Sequence, residues 1–239
     1  MPDFSDLAEE SAAPWQPVPD EVAYRHCREN ITSLLRTRPK AADRPVPACP
    51  DWTVVGLVAH LYEVCRATRD SLGGLSAPRP ADGASIDELL DGWTRTALEV
   101  EGLLAASDRW HGPLMLDVFA HELDIRRILD EPVPVDHPAY PGAMNVAFGG
   151  FSRSVRELQL PAIRVEAPGS HWVAGVGEPV VTVTGNRYDL FRSATGRRSQ
   201  EQIAELSWSA PCGVWLPAFT WGPFRPPPEA TEPALDPKR

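Results

Sequence analysis

Apolar positions in the first half of the chain fall at helical spacing. Val22, Ile31, Leu34 and Leu35 form a stripe that predicts a helix from Asp20, read as its N-cap, to about Arg36. The Pro-rich stretch 39–50 reads as a loop, and Thr53 then caps a second predicted helix from Val54 to about Leu72. Within it Leu57, His60, Leu61 and Val64 recur at i, i+3, i+4 and i+7, and Gly73-Gly74 ends it. His60 therefore falls on the predicted buried face. Ser85 followed three residues later by Glu88 has the pattern of a capping box, opening a third helix whose Leu89, Trp93, Thr96, Val100 and Leu103 point inward. A fourth helix is predicted from Pro113 to about Asp130, with Pro132 and Pro134 blocking its extension. Four such helices with modest loops argue for a bundle.

After Pro138 the texture changes. One more helix-compatible stretch, 143–158, is followed by Ala162–Glu166, His171–Ala174 and Val180–Thr184, which alternate or are β-branched and are bounded by Gly and Pro. These predict strands of one sheet. Two short helical patterns follow at 188–194 and 200–206, and a last apolar run, Val214–Phe219, reads as a further strand. The chain ends are rich in proline and poor in apolar residues, so burial there does not repay the entropy of ordering. The expected organisation is a flexible acidic tail at 1–19, a helical bundle at 20–138, a small α+β domain at 139–222 and a Pro-rich tail at 223–239.

Charge narrows the function classes. The chain of 239 residues carries a formal net charge of -10, a field that disfavours nucleic acid and anionic membrane surfaces as partners. No window approaches the roughly 20 apolar residues of a membrane span, and the acidic start lacks the basic region of a signal peptide, so a cytoplasmic location is expected. Cys27, Cys49, Cys65 and Cys212 are scattered without a paired-thiolate spacing, which points to free thiols. Lysine occurs only at Lys40 and Lys238 against 21 arginines, a bias similar to that of GC-rich actinobacterial coding.

Candidate chemistry lies on the fourth predicted helix. Asp117, His121 and Asp124 stand at i, i+4 and i+7 among Leu114, Val118, Phe119, Ile125 and Ile128. A carboxylate in a core costs several kcal/mol unless paired, hydrogen-bonded or metal-bound. With His60 from the second helix, two imidazoles and one carboxylate make three protein ligands and leave one position open, the arrangement of catalytic zinc. The same spacing is also met by hydrogen-bonded core histidines and by surface pairing of Asp117 with Arg126 or Arg127, and both readings stand at this point. Cys49 reads as a small packed residue, Trp52 as a staple against the bundle, and His26, His111 and His137 as lacking partners at ligand spacing.

Three segments carry a family resemblance. Val46–Val54 followed by Leu57–Leu61 (VPACPDWTV, LVAHL) resembles the opening motif of the mycothiol-dependent maleylpyruvate isomerase family. Asp117–Arg126 (DVFAHELDIR) is similar to that family's metal-binding helix, and Val183–Gly185 through Asp189-Leu190 to Thr195–Ser199 (TGRRS) resembles a run of its C-terminal domain. The resemblance implies a DinB-like four-helix bundle followed by a sterol-carrier-like α+β domain. It implies that His60, Asp117 and His121 hold a divalent metal, usually zinc, and that mycothiol is the thiol cofactor. The pattern departs at Asp117, where the isomerase proper carries Glu.

On that reading a low-molecular-weight thiol entering the open metal position is deprotonated and becomes a nucleophile. Addition to a cis-enoyl diacid, rotation and elimination would isomerise it; with another electrophile the adduct would be released, which is S-transfer. Arg197 and Arg198 are expected to hold a carboxylate of a small-molecule substrate or of the thiol, and Asp124 to orient His60 or His121. Two other functions remain open: a non-catalytic metal- or ligand-binding protein, and a thiol-independent metal-dependent hydrolase or biosynthetic enzyme.

Overall fold

The structure, a computed structural model, describes residues 18–74, 79–81 and 83–235. Apart from Val18 and Pro19, the acidic tail expected at 1–19 lies outside the described residues. The chain divides into two compact units, Pro17–Gly142 and Ala143–Arg239.

The first unit is helical. Helices α1 (Asp20–Arg36), α2 (Val54–Ser71), α3 (Ile86–Ala105) and α4 (Gly112–Ile128) pack chiefly as α2 on α3 and α1 on both α3 and α4, with α2 also reaching α4. Their termini follow local chemistry. Thr53 Oγ1 accepts the Gly56 N–H at 3.4 Å, and Ser85 with Glu88 forms the expected capping box. The start of α1 differs from expectation: Pro19 is its N-cap, and Asp20 instead turns its carboxylate to accept the His111 N–H at 3.1 Å, tying α1 to the start of α4. The segment read as a loop contains a 3-10 turn (Pro39–Ala41) and a small hairpin of β1 (Pro45–Val46) and β2 (Cys49–Thr53) that leads directly into α2.

The bundle core holds polar groups in pairs. Trp93 Nε1 donates to Tyr24 Oη at 2.8 Å, and buried Glu101 accepts from Arg28 at 2.9 Å and from Arg25 at 2.7 Å. These join α1 to α3, as burial of a charge without a counter-charge would not.

The second unit holds most of α5 (Tyr140–Glu157), then β3 (Ile163–Ala167), β4 (Ser170–Ala174), β5 (Val181–Thr184), α6 (Arg187–Ala194), α7 (Gln200–Ala204) and β6 (Ser207–Trp208). The sheet order is β4-β3-β5-β6, with β3 and β5 parallel and the two outer pairings antiparallel. In β3 and β4 alternate residues are buried, the pattern of a sheet with one covered face. Gly150 on α5 admits the Trp221 indole: a Cβ there would lie 2.1 Å from Trp221, so only glycine allows the ring this close. The fold is thus a helical N-terminal region followed by a sheet-containing C-terminal one, in line with the expected class.

Two expectations for this unit fail for physical reasons. The apolar run Val214–Phe219 is not a strand; Leu216–Phe219 is a 3-10 turn around Pro217, which has no N–H to give a ladder. The segment from Pro223 is not a tail over its described length. Glu232 accepts from Arg192 Nε at 2.8 Å and Nη2 at 2.9 Å, pairs with Arg198 Nη1, and its carbonyl accepts from Gln202 at 2.8 Å. Composition concealed this because one carboxylate meeting two buried guanidinium groups anchors a segment that has few apolar side chains to bury.

Replacing Glu232 by Ala removes the carboxylate that these two guanidinium groups share. The expected loss is about 3 kcal/mol of unfolding free energy, read from the urea midpoint. A loss below about 1 kcal/mol would mean that the segment only rests on the unit.

Candidate metal centre

Three polar side chains meet in the first unit because helix periodicity aims them at one point. On α4, Asp117 and His121 are four residues apart and share a face; His60 projects from α2, the helix packed beside it. His60 Nε2 lies 3.3 Å from Asp117 Oδ1, and His121 Nε2 lies 3.5 Å from the same oxygen. The two imidazole rings stand 5.4 Å apart, nearly perpendicular. One donor atom from each of the three residues falls within 4.8 Å of the others. The surface pairing of Asp117 with Arg126 or Arg127 does not occur among these contacts: Arg126 Nε instead donates to Glu122 at 2.7 Å.

Burial differs across the cluster and gives it an open side. The side chains of His60 and Asp117 are 29% and 28% exposed, whereas His121 is 7% exposed and Asp124 1%. Asp124 Oδ2 lies 3.1 Å from His121 Nδ1, behind the ring, the position from which a carboxylate orients an imidazole. Burial disfavours ionisation of Asp117, but hydrogen bonds from His121 and His60 outweigh it and hold the carboxyl well below the usual carboxylate range. Burial likewise opposes protonation of His121, and its contacts with Asp117 and Asp124 prevail to raise its affinity for a proton.

The donor set fits a divalent cation. It offers two imidazole nitrogens and a carboxylate, a combination found around catalytic zinc with one position left open. Asp117 Oδ2 is shielded from solvent and has no hydrogen-bond partner, a cost that a bound cation would relieve. Ligation by imidazole would require His121 Nε2 to be free of a proton.

Two further clusters share these elements. Cys49, from β2, comes within 4.8 Å of His121 and Asp124, although Asp124 already occupies the Nδ1 side of that ring. Cys27, Glu122 and His137 form a fully buried group on the side of α4 that faces α1. Its chemistry argues against metal. His137 Nδ1 accepts the Ala139 N–H at 3.1 Å, and its Nε2 lies 3.3 Å from Asn30 Nδ2 and 3.1 Å from Glu122 Oε2, so both ring nitrogens are engaged. Burial, with Glu122 adding to it, pushes the Cys27 thiol well above its ordinary value, so it is not a ready thiolate. Glu122 also accepts from Asn30 at 3.0 Å. This is a hydrogen-bonded strut joining α1, α4 and the segment after α4.

The structure gives Arg197 and Arg198 a different job from the one expected. Both are buried in the second unit. Arg198 donates twice to Asp189 Oδ1, at 3.1 and 2.7 Å, and also pairs with Glu232. Arg197 Nη1 donates to the Thr195 carbonyl at 2.7 Å, and its guanidinium lies 5.8 Å from the Phe224 ring centroid. A guanidinium neutralised by two buried carboxylates is structural and not an open anion receptor.

Sequence reasoning missed two residues. His137 is not partnerless; its neighbours Glu122 and Cys27 come from other elements, at separations that no local spacing reveals. Trp52, read as a staple, lies against both metal-site imidazoles, 4.7 Å from His60 and 5.9 Å from His121. The only sequence signal was its place immediately before the Thr53 cap of the helix that carries His60.

Residues 24–111 match the family model described as the mycothiol maleylpyruvate isomerase N-terminal domain; the match ends one residue before α4 begins. Two solved structures resemble the fold, the mycothiol-dependent maleylpyruvate isomerase and a histidine-to-alanine mutant of it. Each is 14% identical with a TM-score of 0.51, and the similarity covers 88% of this chain and 97% of theirs. No curated protein matches the sequence.

The strut makes its own prediction. Glu122→Ala leaves Arg126 without its counter-charge and removes an acceptor from Asn30, with an expected cost of about 3 kcal/mol. Burial raises the Glu122 carboxyl, but contacts with His137 and Arg126 outweigh this and lower it overall. Its contribution is therefore present above the ordinary Glu value and lost as pH falls through the lower folded one. Urea unfolding at neutral and at acid pH should show wild type and variant converging as pH falls; a gap that is the same at both would contradict this assignment.

Proposed function

We propose that this chain, whose residues 24–111 carry the mycothiol maleylpyruvate isomerase N-terminal domain, is a metal- and thiol-dependent enzyme. It acts as a cis-trans isomerase or S-transferase on a small electrophilic, carboxylate-bearing substrate. The observation that carries the reading is the convergence of His60 Nε2, His121 Nε2 and Asp117 Oδ1 within 4.8 Å, on a side of the bundle left partly open.

His60, Asp117 and His121 would hold the ion, with zinc the expected metal and mycothiol the expected thiol. When bound, the metal supplies an open Lewis-acid position at which a thiol loses its proton and becomes the nucleophile toward an electrophilic carbon. The residues around it set the conditions for that chemistry. Two neutral imidazoles and one carboxylate cancel only one of two positive charges, so the site keeps a net attraction for anionic ligands. That residual charge takes over the role first assigned to Arg197 and Arg198, which are buried among their own contacts. Asp124 fixes the His121 ring so that Nε2 faces the centre. The inner side of the site, at His121 and Asp124, is closed to solvent, which strengthens the electrostatics there. Asp117 is one methylene shorter than the Glu of the isomerase proper, a difference within the donor set that bears on which substrate the site would take.

Metal analysis of the purified protein is expected to give one divalent ion per chain, and His60→Ala or His121→Ala to lose it. Turnover of a cis-enoyl dicarboxylate should require added mycothiol. Absence of stoichiometric metal would overturn the reading, and turnover that persists without thiol would select a metal-dependent hydrolase instead.

A further inference from the structure

The two imidazoles of the proposed centre are supported in different ways. A metal-bound imidazole can still rotate about its bond to Cβ unless a second contact holds it, and the usual contact is a hydrogen bond from its other nitrogen. His121 has this in Asp124, 3.1 Å from Nδ1. His60 does not: among the described residues its one hydrogen bond is from Nε2 to Asp117, and no protein group bonds Nδ1. What lies against the His60 ring is the Trp52 indole, 4.7 Å away between centroids at an interplanar angle of 38°. The same indole reaches His121 at 5.9 Å and 41°, so one ring touches both imidazoles.

The chain holds Trp52 in place from two directions. It is the penultimate residue of β2, pinned by the pairing of Pro45 with Thr53 and Val46 with Cys49, and the next residue caps α2. The hairpin and the first two turns of α2 therefore form a single bracket, with Trp52 at its bend and His60 on its arm. The half-buried indole at this bend packs at a tilt against His60, whose side chain stays 29% exposed.

The geometry points to Trp52 as the positioning residue for His60, aromatic packing on the ring face doing what a carboxylate hydrogen bond does for His121. This rests on the metal site proposed above. Replacing the indole by a flexible aliphatic chain frees the His60 ring, so metal affinity falls; a phenyl ring restores the aromatic contact.

The test is a competitive chelator titration with zinc of the full chain as wild type, Trp52→Leu, Trp52→Phe and Asp124→Asn, together with the absorption spectrum of each cobalt-loaded form. Trp52→Leu is expected to weaken metal binding about 10- to 100-fold, as Asp124→Asn does from the other side, while Trp52→Phe recovers most of it. The cobalt ligand-field bands should move in the Leu variant and stay near wild type in the Phe variant. Equal affinity and unchanged bands in Trp52→Leu would overturn the assignment, as would a Phe variant no better than Leu. If Trp52→Leu does not fold, indole emission decides: stoichiometric cobalt should quench wild type more than Trp52→Phe, and equal quenching would overturn the contact. Wild type that binds no metal would instead sink the proposed centre itself.

Discussion

One carboxylate placed between two imidazoles organises the helical unit. Asp117 Oδ1 is shared by His60 from α2 and His121 from α4, and the rest of the arrangement makes that sharing tolerable. Three polar groups cannot sit in a bundle without compensation, because each loses hydration and gains little from apolar neighbours. The compensation is layered. Asp124 satisfies the far side of His121, Trp52 lies on the face of His60, and the outer edge remains open to solvent. Within this cluster Asp117 Oδ2 stays without a hydrogen-bond partner.

The same helix manages a second polar problem on its other side. Glu122, next to His121 in the chain, faces α1 and gathers Arg126, Asn30 and His137. Consecutive residues on a helix point about 100° apart, so α4 carries the Asp117–His121 cluster on one face and the Glu122 strut on another. The histidines differ accordingly: His137 has both ring nitrogens engaged within the strut, whereas His60 and His121 each direct Nε2 at a common point. Buried charge in the second unit follows the same logic, with Arg192 and Arg198 matched by Glu232 and Asp189.

Much of this was legible in the sequence where the signal is local. The i, i+4 spacing of Asp117 and His121, the Thr53 cap and the Ser85–Glu88 capping box each depend on residues within one or two helical turns, and each appears as read. The helical first half and the strand-bearing second half follow from a change in hydrophobic period. What escaped depends on partners far apart in the chain. Glu232 reads as part of a Pro-rich tail until Arg192 and Arg198 are seen to need a counter-charge, and for the same reason Arg198 reads as available to a ligand carboxylate. His137 gives no clue to Glu122 and Cys27 without the fold. Trp52 could be placed beside a helix cap, but only the turn of the β1–β2 hairpin swings it onto His60.

The central claim is that His60, Asp117 and His121 form one centre whose remaining position accepts a thiol. X-ray absorption at the zinc edge of the metal-loaded protein, before and after addition of mycothiol, tests it most directly. The account predicts a first shell of two imidazole nitrogens and light oxygen scatterers, with one sulfur scatterer at about 2.3 Å appearing only when the thiol is added. Sulfur ligation before the thiol is added, or a first shell that the thiol leaves unchanged, would contradict it.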